Sequence, residues 1–433
     1  MAKENIIVGL DVGSCFIRTV VAKTKADQTK PQIIGIGQVP SFGLRRGAVV
    51  DVEETIKNIS QSVQEAERSS GLSIDRVYVG LGGNHITSRT NKGVVAVSRA
   101  DGEIAKEDVE RAINAASAVS LSPNREIIHV IPRCFMVDDQ ADIKEPVGMK
   151  GIRLEVDALI IEGAAPFIKN LTKCISEVGL EIAGLVLTPL AASRAALTKR
   201  QKELGVLTLD LGGGTVGLTV FEEGDIIHSC ILPIGSSHIT SDIAIGLRSA
   251  IDLAEKVKLE YGSALVSEIS KKDTIDLSRL GIEEPAKVSQ NRTASGMSGF
   301  VSEEKGVIPR VQVAEIIEAR LSETFELVNK ELKKINRQGL LPAGAVLLGG
   351  GAKIPGLVDL AKKELRLPAQ VGFPLELEGI VDEVDDPAFA TAVGLLLWGM
   401  DEQIKGNGRI PLPRLSVAST VGKIKGWLRG FLP

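Results

Sequence analysis

Two short segments, about two hundred residues apart, carry the residue types best suited to gripping an anion. One reads Ile6-Ile7-Val8-Gly9-Leu10-Asp11-Val12-Gly13-Ser14-Cys15, and the other Val206-Leu207-Thr208-Leu209-Asp210-Leu211-Gly212-Gly213-Gly214-Thr215. Each is an apolar run that reaches an aspartate, turns on glycine and a hydroxyl residue, and resumes as a second apolar run (Arg18 to Ala22; Val216 to Phe221). Glycine in such a turn lets backbone N–H groups converge on a phosphate with no Cβ in the way. The hydroxyls of Ser14 and Thr215 add donors. Asp11 and Asp210, at strand ends, can hold a hydrated Mg²⁺ that bridges β- and γ-phosphates. A third segment, Val346-Leu347-Leu348-Gly349-Gly350-Gly351-Ala352-Lys353-Ile354-Pro355-Gly356, predicts a strand, a triple-glycine turn and a helix. There a base and ribose can lie against bare backbone. The chain has no GxxxxGK[ST] motif and no GxGxxG after its first strand, which disfavours a P-loop and a dinucleotide fold.

The elements that must hold these turns are legible as a pattern. Residues 5–24 predict a strand hairpin, Ile33–Val39 a strand, Asp51–Ser69 a helix with Ile56, Ile59 and Val63 at helical spacing, and Val77–Gly82 a buried strand. Residues 84–162 differ in texture and predict an inserted module: strand Gly93–Val97, helix Lys106–Ala118, strands Glu126–Asp138 and Glu155–Ile161. Helix Pro166–Val178, strand Ile182–Leu187 and a helix opening at Thr188 follow. After the second Asp-Gly hairpin come a helix from Ser237 to Tyr261, a polar stretch 262–310 with the Ser/Thr/Gly-rich loop Asn291–Gly306, and a helix from Val311 to Asn336. Strand Ala345–Leu348, helix Gly356–Leu365 and helix Pro387–Met400 complete an α/β pattern of parallel strands and crossover helices, covered on both faces.

The chain has 433 residues, 44% of them hydrophobic and only 3% aromatic, so Val, Ile, Leu and Ala must fill a large core. That length allows roughly two to four compact units. A net charge of −4 argues against a nucleic-acid partner, which normally requires a basic footprint. The charge is uneven. Beyond Glu402 there are six basic residues and no acid, so the rest of the chain carries −10 (−4 less +6). The cysteines (Cys15, Cys134, Cys174, Cys230) make no CxxC pair, which fits a reducing compartment. Asp11 interrupts the first apolar run too early for a secretory leader, and no run reaches the roughly 20 apolar residues of a membrane span.

The C-terminal end has its own pattern. Val417, Val421, Ile424, Trp427, Leu428 and Phe431 recur at three- and four-residue steps, while Lys423, Lys425 and Arg429 fall outside that set. Behind the linker 402–417, broken by Gly406, Gly408, Pro411 and Pro413, residues 418–433 predict a short basic amphipathic helix that lies in the plane of a membrane surface. Gly422, Gly426 and Gly430 weaken its intrinsic helicity, so folding would be coupled to lipid.

With the three glycine turns in this order, the chain resembles the superfamily of actin, the heat-shock chaperone ATPases and hexokinase. Asp11–Ser14 matches the first phosphate motif, Asp210–Thr215 the second and Gly349–Gly351 the adenosine motif. Thr188–Ala192 and Ala388–Gly394 match the two connecting helices that cross at the hinge. The resemblance implies an actin-like two-lobed ATPase fold with duplicated RNase H-like cores, and a cleft for ATP and Mg²⁺. It implies nucleotide contacts from Asp11, Gly13, Ser14, Cys15, Asp210, Gly212, Gly213, Gly214, Thr215, Gly349, Gly350, Gly351 and Lys353. Glu255 and Lys258, on the helix Asp242–Tyr261, match the polar face that contacts the nucleoside in chaperone-like members. The implied segmentation is lobe 1 at 1–83, 163–200 and 366–401, and lobe 2 at 201–240, 241–310 (outer subdomain) and 311–365.

Within the superfamily the chain resembles the FtsA family of bacterial cell-division proteins. The insert after Gly83, with His129-Val130-Ile131-Pro132-Arg133 and Pro146-Val147-Gly148-Met149, stands where that family has its extra subdomain. Ile308-Pro309-Arg310 and Ala314-Glu315 through Arg320 resemble its segment near the site for the tail of the tubulin-like FtsZ, which makes Arg310, Glu315 and Arg320 candidate contacts. The resemblance implies an actin-like polymer, self-associating, that ties FtsZ to the cytoplasmic face of the membrane at the division site and helps recruit later division proteins.

One departure bears on activity. Chaperone members carry a water-positioning glutamate where Thr188 precedes Pro189 here. No general base is assigned, so ATP binding with at most slow hydrolysis is expected, and His85 and His129 are expected to be structural. The alternatives are a small-molecule kinase, which would need a base for its acceptor hydroxyl, and a pilus-assembly ATPase of the PilM type. Neither accounts for the basic amphipathic end. A chaperone would carry a β-rich substrate domain, for which no segment is available.

Overall fold

The computed structural model describes residues 5–25, 30–118, 122–280 and 306–406. Residues 418–433, with Val421, Lys423, Ile424, Lys425, Trp427, Leu428, Arg429 and Phe431, lie outside the described residues, as do the linker beyond Gly406 and nearly all of the loop 291–306. The chain divides into two compact units. Met1–Thr87 with Ala164–Met400 form one, and Ser88–Gly163 form the body of the other.

The larger unit begins with β1 (Asn5–Val12), β2 (Phe16–Thr24) and β3 (Gln32–Pro40), an antiparallel meander of β-branched residues. A small hairpin, β4 (Leu44–Arg45) and β5 (Ala48–Val49), leads into α1 (Val52–Ser70). Asp51 caps that helix by accepting from the Glu54 N–H, and Gly71 closes it at φ 71. Strand β6 (Arg76–Leu81) then pairs parallel to β1.

The insert follows: β7 (Thr87–Ala96), α2 (Lys106–Ser117), β8 (Arg125–Val137), β9 (Gln140–Ile143) and β10 (Arg153–Ala164). Its sheet runs β7-β10-β8-β9, and α2 buries Val109, Ala112 and Ile113 in the core of this unit. Burial pushes His129, on β8, down to a pKa of about 4, so this histidine is neutral at pH 7.

The chain returns through α3 (Ala165–Glu177), β11 (Glu181–Leu187), α4 (Thr188–Ala196) and α5 (Lys199–Leu204). The second meander is β12 (Val206–Leu211), β13 (Val216–Glu222) and β14 (Asp225–Leu232). Helices α6 (Ser236–Leu247) and α7 (Ile251–Tyr261), strands β15 (Thr274–Asp276) and β16 (Val307–Pro309), and the long α8 (Arg310–Lys334) come next. Then β17 (Ala345–Leu348), α9 (Leu357–Leu365), β18 (Ala369–Val371), β19 (Glu378–Gly379) and α10 (Ala390–Gly406) complete the described chain.

The two large sheets repeat one topology. The first runs β11-β6-β1-β2-β3, with β19 added at its edge, and the second β18-β17-β12-β13-β14. In each, an antiparallel hairpin is extended on one side by two parallel strands. The duplication expected from the paired Asp-Gly turns is therefore present in strand order. Helices α4 and α10 cross closely: a Cβ at Gly394 would fall on the Ala191 carbonyl oxygen, so only glycine permits the contact.

Three local readings need correction. The helix expected over Ser237–Tyr261 is two helices. Arg248 turns left-handed at φ 52, and the N–H groups of Arg248 and Ser249 close α6 on the Ile245 and Ala244 carbonyls. Glu255 and Lys258 therefore lie on α7 and Asp242 on α6. No strand is expected between the second hairpin and Ser237, yet β14 follows a two-residue turn, Glu223-Gly224, in which both residues have positive φ, a hairpin geometry that the Gly-containing pair allows. The linker expected from residue 402 starts later. Helix α10 continues through Asp401–Lys405, which include the good helix formers Glu402, Gln403 and Lys405, as far as Gly406.

Candidate nucleotide site

The two aspartate turns are built alike. In the first, the Gly13 N–H donates to the Phe16 carbonyl at 3.1 Å. In the second, the Gly212 N–H donates to the Thr215 carbonyl at 3.0 Å. Each closes three residues downstream and each begins two residues after its aspartate. The same apolar–Asp–x–Gly pattern has folded to the same hydrogen bond twice.

The turns also meet. A Cβ on Gly214 would stand 2.8 Å from Ser14 Oγ, and one on Gly213 would collide with Cys15 Sγ. Cys15 Sγ lies 3.4 Å from Ser237 Oγ at the start of α6. The Ser236 and Ser237 N–H groups donate to the Gly212 and Gly213 carbonyls at 2.9 and 2.8 Å, which fixes the N-terminus of α6 against the second turn. Ser14 Oγ accepts from the Gly47 N–H at 3.2 Å, and Arg46 Nη2 lies 3.4 Å from His238 Nε2.

The third turn completes the group. Gly349 sits at φ 78, and a Cβ there would meet Asp210 Oδ1 at 2.5 Å. Gly351 is packed against Ser236 and Leu211, whereas Gly350 is exposed, with no atom within 4 Å of where a Cβ would point. Lys353 pairs with Asp386, whose other oxygen accepts from the Ala388 N–H at 2.9 Å. A groove of about 460 Å³ opens beside Lys353, lined by Ile354, Val358, Phe373 and Pro387. No residue of the two aspartate turns lines it, so it is distinct from the space the turns enclose.

The electrostatics are those of crowded acids. Burial is the main force on Asp11, with Asp210 adding to it and Arg18 opposing, and its pKa is pushed up to about 7. Asp210 is raised too, by burial, against the Thr391 hydroxyl that donates to its Oδ2 at 3.0 Å and against Arg18. Arg18 is the counter-charge to both. Its Nε donates to Gln38 at 2.8 Å and its guanidinium lies over the rings of Phe16 and Phe389 at 5.2 and 5.1 Å. Two desolvated carboxylates against one guanidinium leave a negative charge uncompensated when both are ionised. Such an oxygen donor set is compatible with Mg²⁺, for which Asp11 and Asp210 would be the protein-side partners, directly or through water.

Glu255 and Lys258 pair with one another at 2.6 Å, and Lys258 Nζ also donates to Thr240 Oγ1 at 2.8 Å. Thr240 Oγ1 in turn bonds back to the Ser236 carbonyl, which ties this polar group to the turn that Gly351 contacts. Thr188 stands beside Asp11, since both lie within 4 Å of the point a Cβ on Gly80 would occupy, and it brings no carboxylate to the site. Of the distal candidates, Arg310 Nε donates to the Tyr261 carbonyl, Glu315 is exposed, and Arg320 forks onto both oxygens of Asp242 at 2.5 and 2.9 Å. Arg18, Arg46, Thr391 and Thr240 did not emerge from the sequence. Only for Arg18 was there a signal, since it is the cross-strand partner of Asp11 in the first hairpin.

Comparison with known proteins agrees with this architecture. A family model described as "Cell division protein FtsA" matches residues 207–394, and one described as "SHS2 domain inserted in FTSA" matches 83–162. The cell division protein FtsA of Pseudomonas aeruginosa is 34% identical over 98% of each chain, and that of Escherichia coli K12 32% identical over 98% of each. The chain belongs to the FtsA family of cell-division proteins. The FtsA of Bacillus subtilis, 36% identical, covers 92% of this chain with 84% of its own. Among solved structures, a PilM–PilN type IV pilus biogenesis complex aligns with a TM-score of 0.63 at 17% identity, over 91% of this chain and 98% of that one. MreB5 of Spiroplasma citri bound to ADP aligns with a TM-score of 0.51 at 15% identity, over 93% of this chain and 98% of that one. These likenesses establish the actin-like fold. Among the described residues, no helix is long and apolar enough to cross a membrane.

Proposed function

We propose that this FtsA-family chain binds ATP with Mg²⁺ between its paired turns, and polymerises as an actin-like filament. The filament tethers FtsZ to the cytoplasmic face of the membrane at the division site and helps recruit later division proteins. The observation that carries the nucleotide reading is the meeting of two identically closed Asp-Gly turns beside the exposed face of Gly350. Backbone N–H groups, Ser14 and Thr215 would hold the phosphates, and the Gly350 face together with the Thr240–Glu255–Lys258 group would hold the nucleoside. Bound magnesium would neutralise charge shared by the phosphates and the two aspartates. With Thr188 where a carboxylate would orient water, hydrolysis is slow or absent, and the nucleotide acts as a clamp across the crossing of α4 and α10.

The membrane and FtsZ roles rest on family membership and on the sequence pattern of 418–433. A head-to-tail polymer would multiply weak lipid contacts from many tails into firm attachment. Calorimetric titration with Mg·ATP tests the site: Asp210→Ala should abolish binding, and undiminished binding would remove the assignment. Electron microscopy on a lipid monolayer tests the scaffold: filaments should form with ATP, and a bare monolayer at saturating ATP would refute it.

A further inference from the structure

Three metal-ligating side chains come together away from the nucleotide turns. His228 and Cys230 occupy alternate positions on β14, the edge strand of the second sheet, so both project from the same face. Glu331 reaches them from α8. His228 Nε2 and Glu331 Oε2 are 3.1 Å apart, and one donor atom from each of the three residues lies within 4.8 Å of the others. All three side chains are partly buried. The other face of β14 is occupied differently: Ser229 bonds to Thr219 at 3.0 Å inside the sheet packing.

We propose that His228, Cys230 and Glu331 form a binding site for a borderline-soft divalent cation, Zn²⁺ above all, that clips β14 to α8. The donor set selects the ion. One imidazole nitrogen, one sulfur and one carboxylate oxygen suit zinc, whereas Mg²⁺ and Ca²⁺ take oxygen ligands. Three protein ligands leave one tetrahedral position for water. Zinc bonds of about 2.0–2.3 Å place ligand atoms about 3.3–3.8 Å apart, so the widest pair need close by only about an ångström. The sheet edge gives the side chains room to do so. Glu331 Oε1 already accepts from Lys334 Nζ at 2.7 Å, which holds the carboxylate with Oε2 toward His228. The plainer reading, a His–Glu pair with a thiol packed beside it, explains the 3.1 Å bond but predicts no metal affinity.

The test uses the full-length chain after chelator treatment, with Co²⁺ and Zn²⁺ as probes. One equivalent of Co²⁺ should give a thiolate-to-cobalt charge-transfer band, lost in Cys230→Ser and bleached by Zn²⁺. His228→Ala and Glu331→Gln each remove a direct ligand and should weaken zinc affinity by more than the roughly 10- to 100-fold that loss of an outer-shell partner costs. Zinc should also protect Cys230, but not the exposed Cys15, from alkylation read by peptide mass spectrometry, a measurement on unmutated protein that stands even if a variant misfolds. The absence of the band, its survival in Cys230→Ser, or equal alkylation of Cys230 with and without zinc would each overturn the site.

Discussion

If Asp11 and Asp210 hold Mg·ATP as proposed, their crowding trades stability for binding, and Asp11→Asn should expose the trade. The folded pKa of Asp11 is about 7, against an ordinary 3.8. The folded chain therefore holds a proton between those values that the unfolded chain gives up. Its contribution to stability is present at low pH, declines as pH rises from about 4 to about 7, and is gone above that. The rise from 3.8 to about 7 corresponds to at most about 4 kcal/mol, and the half-buried position of Asp11 reduces this to roughly 2. Asparagine mimics the protonated side chain. At pH 8 the nucleotide-free Asp11→Asn protein should be more stable than the parent by about 2 kcal/mol, and the gap should narrow toward pH 4, while Mg·ATP affinity falls sharply. Urea unfolding at several pH values, paired with calorimetric titration, reads both. Opposite signs on the two axes are the signature of a binding site kept at the expense of stability. A variant less stable than the parent at pH 8, or a gap independent of pH, would refute the picture of desolvated, mutually repelling acids.

The glycines of the third turn should separate cleanly. A Cβ at Gly350 meets no protein atom, so Gly350→Ala should leave the fold intact while weakening ATP binding, whereas Gly349→Ala, at φ 78 and against Asp210, should lower stability by about 1–3 kcal/mol; circular dichroism melts with titration distinguish them. Deleting residues 418–433 should release the protein from anionic vesicles without changing ATP affinity, and unchanged co-sedimentation would defeat the anchoring role. Phe325, fully buried on α8 in the core that packs against the second sheet, should cost about 3–5 kcal/mol when truncated to alanine, measured by chemical denaturation.

Most of the framework was legible because its signals are local. Asp51 and Gly71 bracket α1 through capping, and the alternation and β-branching of 5–24 and 206–222 encode hairpins. The paired Asp-x-Gly turns are repeated in residue type, and backbone closure depends on residues three apart. What failed was also local but weak. The break between α6 and α7 falls at an arginine, not a glycine, so its left-handed turn was set by Schellman-type closure that composition does not announce.

The chain's own order of residues determined that there are two matched Asp-x-Gly turns, a third glycine turn and a basic end-piece, since each is a property of neighbours in sequence. Only the tertiary structure decided that Ser14 meets Gly214, that Arg18 and Thr391 balance the two aspartates, and that His228, Cys230 and Glu331 share one corner. Those partners lie far apart in the chain: Thr391 is 181 residues from Asp210, and Ser14 is 200 from Gly214 (214 − 14). Their meeting depends on how two duplicated sheets and crossing helices bury apolar surface, a cooperative outcome that no short window of sequence contains.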